Sequence, residues 1–469
     1  MATTLNADQK AAFKAIQKFL DHPVANVFVL KGYAGTGKTF LMQHIAQWLQ
    51  DKKKKFCMLA ATGRAATVLR GKTGFTASTV HSELYNFSRI DGLDEETLSE
   101  NSPAGISGQM TLQFTTRQPD EETTVYIVDE ASMLSGELSD NNDFAVFGSG
   151  ILLNDFFQVA GKSKIIFVGD PCQLPPVGQS FSPALDVDWI SKQQKVPISM
   201  QLSKIERTKG DNDILVLAGA IRDLSESRER IRFPKIPAGN LGNVKLHQSD
   251  EEMFRLYAAN YKSLGPTQCL AIARSNKTVQ QINRDMRREL FGSGYVPLQV
   301  GDVLLVTQNN YAVPLTNGDF VVVDQLEEVT EKVGIKFQKV QVTAIASGKE
   351  FKLFLSLNAL ESLKGSHDND ESKALMVSFN NRMKTEGIAS GSEEYLTAMR
   401  EDPYLNCLKA TYGYAVTCHK AQGGEWNKVY LFLDKSMFGA PYYELCKWWY
   451  TAVTRAKDEL NLVNDWWVV

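Results

Sequence analysis

Residues 27–39 of the chain, VFVLKGYAGTGKT, decide the fold. The run begins with the apolar residues Val27–Leu30, which are enough for a short buried strand. It ends with Gly32–Thr39, which matches the pattern G-x-x-x-x-G-K-[ST]. The apolar spacing of residues 40–49 predicts a helix. A strand, a glycine-rich turn and a helix in this order predict a loop that binds phosphate groups through its backbone amides.

The residue types within this loop have separate expected roles in binding ATP. The glycines allow the backbone amides of Gly35, Thr36 and Gly37 to curl around phosphate oxygens. Lys38 is expected to reach the β- and γ-phosphates, and the Thr39 hydroxyl to ligate Mg²⁺. A glycine turn with only a structural role is the alternative, and the flanking strand and helix argue against it. The sequence therefore predicts ATP and Mg²⁺ as cofactors.

Further apolar runs of strand length lie at residues 57–60, 125–128 and 165–168. Helical patterns separate them, and each run ends at polar or glycine residues. Buried strands that alternate with helices predict a parallel α/β sheet. Because active residues in such sheets sit at the carboxyl ends of strands, the residues that follow these runs are candidates for chemistry.

Two of these strand ends carry residues suited to ATP hydrolysis. Asp129 and Glu130 follow the run at 125–128. We expect Asp129 to hold Mg²⁺, and Glu130 to orient and deprotonate the attacking water. Gln173 lies in Gly169–Pro176, after the next run, and we expect it to sense the γ-phosphate. The alternatives are a solvated acidic pair at a strand end and a proline-rich turn.

Hydrolysis also requires positive charge near the γ-phosphoryl oxygens, where negative charge spreads in the transition state. An arginine supplied from another domain is the usual source of this charge. Arg207 and Arg455 are the candidates. The alternative for either is a surface arginine without a catalytic role, which is the commoner fate of this residue type.

Length and composition limit the class of protein. A chain of 469 residues predicts about two to four domains. Its 43% hydrophobic and 22% charged residues exclude a disordered or fibrous chain. The net charge of −3 gives no overall attraction to nucleic acid, so any such site must be a local basic patch.

The cysteines and the N-terminus bear on the compartment. Six cysteines lie far apart, without a CxxC pair or zinc-ligand spacing, which indicates reduced thiols. The polar residues 1–6 carry no targeting signal, and no apolar run has membrane-spanning length. The expected location is the cytoplasm, with no membrane partner.

Other segments depart from the α/β pattern. Residues 88–123 are acidic and rich in serine and glycine, and they predict an insertion with a small hairpin. Residues 300–380 contain successive short strands without helices between them, which predict a small β-barrel or sheet. Residues 361–402 are charged and predict helix and mobile loop.

The order of these segments resembles that of superfamily 1 helicases, and within them the 1B branch of RecD-like and phage Dda-type enzymes. The match is collinear over nearly the whole chain. The resembling segments are Leu5–Gln9 (Q motif), Gly32–Thr39 (motif I), Leu59–Ala66 (Ia), Ser78–His81 (Ib), Val128–Met133 (II), Gly169–Pro176 (III), Leu202–Arg207 (the segment of the first catalytic arginine), Ala271–Asn276 (IV), Tyr414–Gly423 (V) and Trp449–Ala456 (VI).

The resemblance implies an α/β fold in four parts. Two RecA-like P-loop domains with parallel sheets are expected, with ATP in the cleft between them. The expected bounds are 1–86 and 124–198 for domain 1A, 87–123 for a pin insertion called 1B, 199–298 and 404–469 for domain 2A, and 299–403 for an SH3-like β-barrel insertion called 2B.

The resemblance also implies roles for single residues. Gln9 is expected to contact the adenine base, and Arg207 and Arg455 to reach the phosphates from domain 2A. The residues expected to contact single-stranded DNA are Thr62, Thr79, His81, Thr417, His419 and Lys420. Their hydroxyl, imidazole and ammonium groups suit phosphate oxygens, which carry no sequence information.

Aromatic and histidine residues in these segments have structural alternatives. His81 and His419 could each be a satisfied core histidine. Phe87 or Phe114 could present an apolar face to the last base pair of a duplex, or belong to the core.

The function expected from these patterns is an ATP-dependent DNA helicase moving 5′ to 3′, a direction that rests on the resemblance alone. An RNA helicase of the same superfamily is one alternative. A second alternative is a nucleotide-gated switch or nucleoside-phosphate kinase, and residues 417–423 and Arg455 argue against it. A third is a scaffold that no longer hydrolyses ATP, and the intact Lys38 and Glu130 argue against that. The expected partners are single-stranded DNA and duplex or fork junctions, with a single-strand-binding or replication protein as a further candidate. One chain holds every required motif, so a monomer is expected.

Overall fold

The computed structural model describes residues 4–91, 111–119, 124–138, 145–205, 212–226, 234–239, 241–292, 294, 297–310 and 312–469. The strands are β1 (Val27–Gly32), β2 (Phe56–Ala60), β3 (Ala77–Thr79), β4 (Tyr85–Asp91), β5 (Thr111–Thr116), β6 (Val125–Asp129), β7 (Ala145–Phe147), β8 (Lys164–Gly169), β9 (Pro197–Leu202), β10 (Val244–His247), β11 (Cys269–Ala273), β12 (Val303–Val306), β13 (Phe320–Lys332), β14 (Ile335–Ala344), β15 (Glu350–Ser356), β16 (Ala410–Tyr412), β17 (Ala415–Thr417), β18 (Trp426–Phe432) and β19 (Ala456–Val463). The α-helices are α1 (Ala7–Leu20), α2 (Lys38–Asp51), α3 (Gly63–Thr73), α4 (Val80–Leu84), α5 (Leu152–Ala160), α6 (Val187–Lys192), α7 (Asp213–Glu226), α8 (Asp250–Leu264), α9 (Asn276–Phe291), α10 (Leu357–Glu361), α11 (Asn369–Thr385), α12 (Glu393–Glu401), α13 (Cys418–Ala421) and α14 (Tyr442–Val453).

The first sheet has six parallel strands in the order β3-β2-β6-β8-β1-β9. Alternate residues of β1 enter different cores: Val27 and Val29 pack on one face, and Phe28 and Leu30 on the other. Burial on both faces explains why these strands are continuous apolar runs. Because β6, β8 and β1 are neighbours, the residues that follow their carboxyl ends meet at one edge of the sheet.

The second sheet has five parallel strands in the order β10-β19-β18-β11-β17. Its core includes the tryptophans of α14, Trp448 and Trp449, which are buried. Strand β17 ends at Thr417, and α13 starts at the next residue, so residues 417–420 lie at the carboxyl edge of this sheet. The two parallel sheets confirm the expected α/β class.

A third sheet is antiparallel, in the order β15-β14-β13-β12-β16. The Leu408 amide donates to the Phe354 carbonyl (2.7 Å), and the Ser356 amide donates to the Leu408 carbonyl (3.1 Å). These bonds join β15 to the segment that leads into β16, so the sheet curls back on itself. A small β-sheet in this segment matches the expectation from sequence, whereas its SH3-like class stays a prediction.

Helices α11 and α12 occupy much of residues 361–402, for which helix and mobile loop are expected. Asp368 caps α11, because its side chain accepts a hydrogen bond from the Glu371 amide (2.8 Å). Phe379 of α11 and Tyr395 of α12 pack edge to face, with ring centroids 5.2 Å apart. The expected helix is therefore present as two packed helices.

A fourth, small sheet has the order β4-β5-β7. Strands β4 and β5 are antiparallel, as expected for a hairpin in the 1B segment. Strand β7 adds to β5 in parallel. This third strand is not foreseen from the sequence, because its residues lie outside the expected insertion.

Several strands depart from the domain bounds expected from sequence. Strand β4 spans the bound at 86/87, and β7 lies in the range expected for domain 1A but pairs with β5 of the small sheet. Strand β9 spans the bound at 198/199 and pairs with β1, so the first sheet extends to Leu202. Strand β16 lies beyond 403 but pairs with β12 of the antiparallel sheet. Among the described residues, no helix is long and apolar enough to cross a membrane.

Candidate functional site

The loop between β1 and α2 has the backbone shape that its glycines allow. Gly35 and Gly37 have φ values of 80° and 77°, in the left-handed region that favours glycine. Lys38 Nζ donates to the carbonyls of Gly32 (2.8 Å) and Tyr33 (3.0 Å), so the ammonium group is held over the loop. The N-terminus of α2 points its free amides at the same place, which favours an anion there.

Gln9 lies against this loop rather than at a distance from it. Its Nε2 donates to the Thr36 carbonyl (3.1 Å), and its Oε1 accepts from the Asn6 amide (3.0 Å) in the capping box of α1. A Cβ added at Gly37 would collide with the Gln9 amide. Gln9 therefore positions the loop, and its contact with an adenine base stays a prediction.

The acidic pair lies at the end of β6, beside the loop. Glu130 has a φ of 51°, an uncommon left-handed conformation for a residue other than glycine, as is often found at functional sites. Burial raises the pKa of Asp129, and the adjacent Glu130 charge raises it further. A nearby cation would offset this buried negative charge.

These residues fit a magnesium ion shared with phosphate oxygens. Among the described residues, no group of three or more His, Cys, Asp or Glu side chains could hold a metal ion. Mg²⁺ keeps several waters and uses one or two carboxylates plus substrate phosphates, so a larger protein cluster is not required. The Thr39 hydroxyl and the Asp129 carboxylate would be its protein ligands.

Gln173 joins the two sides of the cleft. With its amide nitrogen towards Glu130 and its oxygen towards Arg455, Gln173 donates to Glu130 Oε2 (3.2 Å) and accepts from Arg455 Nη2 (3.2 Å). Arg455 also donates from Nε to the Thr451 carbonyl (2.9 Å) and from Nη1 to the Gly424 carbonyl (3.1 Å). The structure thus brings Glu130, Gln173 and Arg455 together, whereas Arg207 lies outside the described residues.

A second connection across the cleft involves Tyr450, which sequence reasoning missed. The Tyr450 hydroxyl accepts from the Ala34 amide (3.0 Å) in the phosphate loop and donates to Asp170 Oδ2 (2.8 Å). Burial raises the pKa of Tyr450, and the Asp170 charge adds to the effect. Tyr450 lies in the motif VI segment, five residues before Arg455, and this position was the available signal.

Arg64 packs the first domain against the second domain and against the antiparallel sheet. Its guanidinium stacks 4.1 Å from the Trp426 ring centroid in the second sheet and 4.8 Å from that of Phe320 in the antiparallel sheet. Burial lowers the pKa of Arg64 to about 10. Arg64 lies two residues after Thr62, which is one of the residues expected to contact DNA.

A cavity of about 1300 Å³ is lined by residues of the first domain, the second domain and the insertion that contains the antiparallel sheet. Five of the six residues expected to contact DNA line it: Thr62, Thr79, His81, His419 and Lys420. The sixth, Thr417, lines an adjoining groove to which Lys420 also contributes. The Thr62 and Thr79 hydroxyls also cap helices, because they accept hydrogen bonds from the amides of Ala65 and Ser82, respectively.

His81 and His419 line this cavity and are not core histidines. The His81 ring has one side open to the cavity and packs its other side beside Tyr85 and Phe147, with ring centroids 5.9 and 6.0 Å away. Burial lowers the pKa of His81 and also that of His419, where the Arg274 charge contributes. The lowered pKa favours the neutral form of both rings, which can donate or accept a hydrogen bond.

The remaining walls come from segments that carry little motif signal. The antiparallel sheet and its helices contribute residues such as Asn309, Lys364 and Lys409. Burial lowers the pKa of Lys409. Phe114 of β5 is buried and stacks on Phe147 at 4.5 Å, so it is mainly a packing residue that borders the cavity. The side chain of Phe87 is outside the described set.

Comparison with known sequence families gives two matches. The AAA domain family matches residues 4–229, and the UvrD-like helicase C-terminal domain family matches residues 412–463. The first match contains the phosphate loop, Glu130 and Gln173. The second contains His419, Lys420 and Arg455.

Similar proteins span most of the chain. The chain is 24% identical to the ATP-dependent DNA helicase Pif1 of Psychrobacter, over 90% of this chain and 64% of that protein. It is 23% identical to the ATP-dependent RecD2 DNA helicase of Deinococcus radiodurans, over 92% of this chain and 46% of that protein. The chain thus spans less than two thirds of the length of either helicase.

A solved structure shares the fold. The Pif1 helicase from Bacteroides, crystallised with ADP-AlF3 and ssDNA, superimposes with a TM-score of 0.51 at 16% sequence identity, covering 100% of this chain and 95% of that chain. This likeness supports the arrangement of two parallel-sheet domains around a cleft.

Proposed function

We propose that this chain, which belongs to the superfamily 1B helicases, is an ATP-dependent DNA helicase that moves 5′ to 3′ along single-stranded DNA. The observation that carries the proposal is the Gln173 amide, which links Glu130 of the first domain to Arg455 of the second. A hydrolytic base and a cation supplied by opposite domains come together when the cleft closes, which couples hydrolysis to domain movement.

The residues around the loop have complementary roles in hydrolysis. Lys38 binds the β- and γ-phosphates. Thr39 and Asp129 would hold magnesium, which would supply positive charge beside the phosphates. Glu130 orients the attacking water and accepts its proton at the carboxylate. Arg455 offsets charge on the γ-phosphoryl oxygens, and we assign Arg207 to the same task.

Domain closure is linked to the DNA strand through the cavity walls. Thr62, Thr79 and His81 belong to the first domain, whereas Thr417, His419 and Lys420 belong to the second. Closing the cleft changes the distance between these two sets of phosphate contacts, which advances the strand. Contacts to phosphates suit a motor that must pass every base.

Other features of the proposal rest on the same likeness. The four-part division into 1A, 1B, 2A and 2B is retained, with the first sheet extended to Leu202 and β16 assigned to 2B. Fork junctions are the expected substrate and a monomer is the expected form, with a single-strand-binding or replication protein as a further partner. A cytoplasmic location is supported by six cysteines without a disulfide, all within the described residues.

The competing functions are less well supported. The cavity of about 1300 Å³ is larger than the roughly 300–1,000 Å³ of a usual small-molecule site, so it favours a polymeric ligand over the substrate of a nucleotide-gated switch or nucleoside-phosphate kinase. An RNA helicase of the same superfamily shares every phosphate contact, and the likeness to named DNA helicases favours DNA over it.

Strand displacement on forks tests activity and polarity together. Forks with only a 5′ or only a 3′ single-stranded tail are incubated with ATP and Mg²⁺, and the released strand is measured. We expect displacement from the 5′-tailed fork. Displacement from the 3′-tailed fork alone would overturn the direction, and ATP hydrolysis stimulated by RNA but not by DNA would replace the substrate.

A further inference from the structure

A second groove of about 550 Å³ lies next to the large cavity. Helix α9 forms one wall, and α10 with the turn after it forms the other. The Gln280 side-chain amide donates to the Glu361 carbonyl (3.3 Å) and connects the two walls. The groove therefore lies between the second RecA-like domain and the insertion.

The groove and the cavity are continuous. Ser362, Leu363 and Lys420 line both of them. Thr417, at the end of β17, lines the groove beside Lys420. A strand held by His419 and Lys420 in the cavity can thus extend into the groove without leaving the protein surface.

Cationic side chains line the α9 wall. Arg284 and Arg288 are exposed, four residues apart on one face of the helix. Arg284 donates to the side-chain oxygens of Gln280 (3.1 Å) and Gln281 (2.8 Å), and Arg288 pairs with Asp285 (3.3 Å). Such exposed contacts are weak and exchange readily for a phosphate oxygen.

A third arginine of the same wall, Arg287, has a structural role. Arg287 is buried and forms an ion pair with Asp302 through Nε and Oδ1 (2.9 Å). It also stacks 4.1 Å from the Tyr412 ring centroid. Arg287 therefore fixes α9 against the insertion, which gives Arg284 and Arg288 a rigid base.

Apolar side chains form much of the remaining groove surface. Val279, Leu305 and Leu363 are among the residues that line it, together with the ring of Tyr412. An apolar and aromatic floor below exposed arginines is the combination that binds bases and phosphates of a single strand without reading sequence. Glu361 is an acidic residue among those that line the groove, opposite in charge to the arginines.

We propose that this groove binds the nucleotides that follow, along the same DNA strand, those in the large cavity, with Arg284 and Arg288 contacting their phosphates. The proposal rests on the proposed function, because it requires a single strand in the cavity. The groove then lengthens the site on the second domain and increases its hold on the strand while the cleft opens.

Single-stranded oligonucleotides extended one nucleotide at a time, at either end, test this assignment. The starting length is the shortest strand that stimulates ATP hydrolysis. For each protein, the measurement is the ratio of Kd for the shortest strand to Kd for the extended strand. The test variant is Arg284→Gln/Arg288→Gln. The control is Arg255→Gln, an exposed arginine on α8 that donates to the Glu251 carbonyl.

For wild-type protein and for Arg255→Gln, we expect affinity to rise over the first added nucleotides at one end. The double variant should lose about fivefold of that gain. Its salt dependence should also fall, by about 0.7 in the slope of log Kd on log salt for each lost phosphate contact. Equal thermal midpoints of the three proteins establish that the fold is retained.

The outcomes separate this inference from the proposed function. If even long strands neither bind the wild-type protein nor stimulate its ATP hydrolysis, the proposed function fails. If the shortest strand binds but added nucleotides give no gain at either end, the groove takes another occupant and the inference is overturned. Retention of the full gain in the double variant would overturn it too.

Discussion

The nucleotide cleft and the single-strand cavity lie between the same two domains, but they are built differently. In the cleft, buried polar atoms are joined across the domain boundary, with Tyr450 bonded to Ala34 and Asp170, and Gln173 to Glu130 and Arg455. In the cavity, threonines, histidines and Lys420 face an open space of about 1300 Å³. Hydrolysis requires preorganised groups, whereas a sliding strand requires contacts that form and break easily.

This difference leads us to expect steep losses from substitutions in the cleft and shallow, salt-dependent losses in the cavity. Removal of a preorganised group costs about 10²–10³ in rate. An exposed cation contributes about 0.2–1 kcal/mol to binding, which is no more than about fivefold. The size of each effect is therefore a measure of which region a residue serves.

The largest effect is expected for Lys38→Ala. The substitution removes the ammonium that the loop carbonyls hold at 2.8 and 3.0 Å, and we expect ATP turnover and unwinding to be abolished while the fold is retained. Steady-state ATP hydrolysis with saturating single-stranded DNA is the measurement. Lys10→Ala, an exposed lysine on α1, is the matched control. Wild-type turnover in Lys38→Ala would refute the assignment of the loop.

Glu130→Gln should slow hydrolysis by about 10²–10⁴, the contribution of a general base. The glutamine keeps the size of the side chain but cannot accept the proton from water. Binding of ATP and of single-stranded DNA, measured by titration, should persist. A variant that binds neither ligand would show that Glu130 supports the structure of the cleft instead of its chemistry.

Tyr450→Phe tests the cleft at a position without a direct chemical role. Loss of the hydroxyl removes the acceptor of the Ala34 amide and the hydrogen bond that Tyr450 donates to Asp170 Oδ2, which costs about 1–3 kcal/mol. This destabilises the closed cleft, so we expect kcat with saturating DNA to fall about tenfold, equivalent to about 1.4 kcal/mol.

The control for this variant is Tyr442→Phe, on the same helix. The Tyr442 hydroxyl donates to the Leu224 carbonyl (2.8 Å) within the second domain and does not cross the cleft. If the two variants have the same kcat, the Tyr450 hydroxyl is only a packing contact and the cleft is less tightly coupled than its geometry indicates.

Sequence patterns identify the cleft more completely than the cavity, for a physical reason. The phosphate loop and the acidic pair are each set by a short run of residues at the end of one strand, so local patterns suffice. The contact of Ala34 with Tyr450 joins residues 416 positions apart, and only the packing of the two domains creates it. Sequence reasoning therefore places Arg455 in the cleft but misses Tyr450.

The cavity shows the same limit more strongly. His81 and His419 are found by their motifs, but the sequence leaves open whether they face a cavity or a core. Lys409 lies in a segment without motif signal, and it reaches the cavity because the antiparallel sheet curls and returns the chain at Leu408. A wall assembled from distant turns of an insertion has no local pattern by which to predict it.

The smallest effect is expected for Lys420→Gln, where the cavity and the groove meet. Burial lowers the pKa of Lys420 in the free protein. A DNA phosphate beside the ammonium group favours its charged form, so Lys420 acts as a cation when the strand is bound. We expect single-stranded DNA to bind up to about fivefold more weakly, with the slope of log Kd on log salt reduced by about 0.7. The control is Lys435→Gln, an exposed lysine elsewhere in the second domain.

A loss of ATP hydrolysis at saturating DNA as large as that of Glu130→Gln would place Lys420 in the chemistry of the cleft and remove the contrast between the two regions. A loss confined to affinity, and suppressed at high salt, would assign Lys420 to the sliding contact, because salt screens a cation at the cavity wall but leaves buried hydrogen bonds in place.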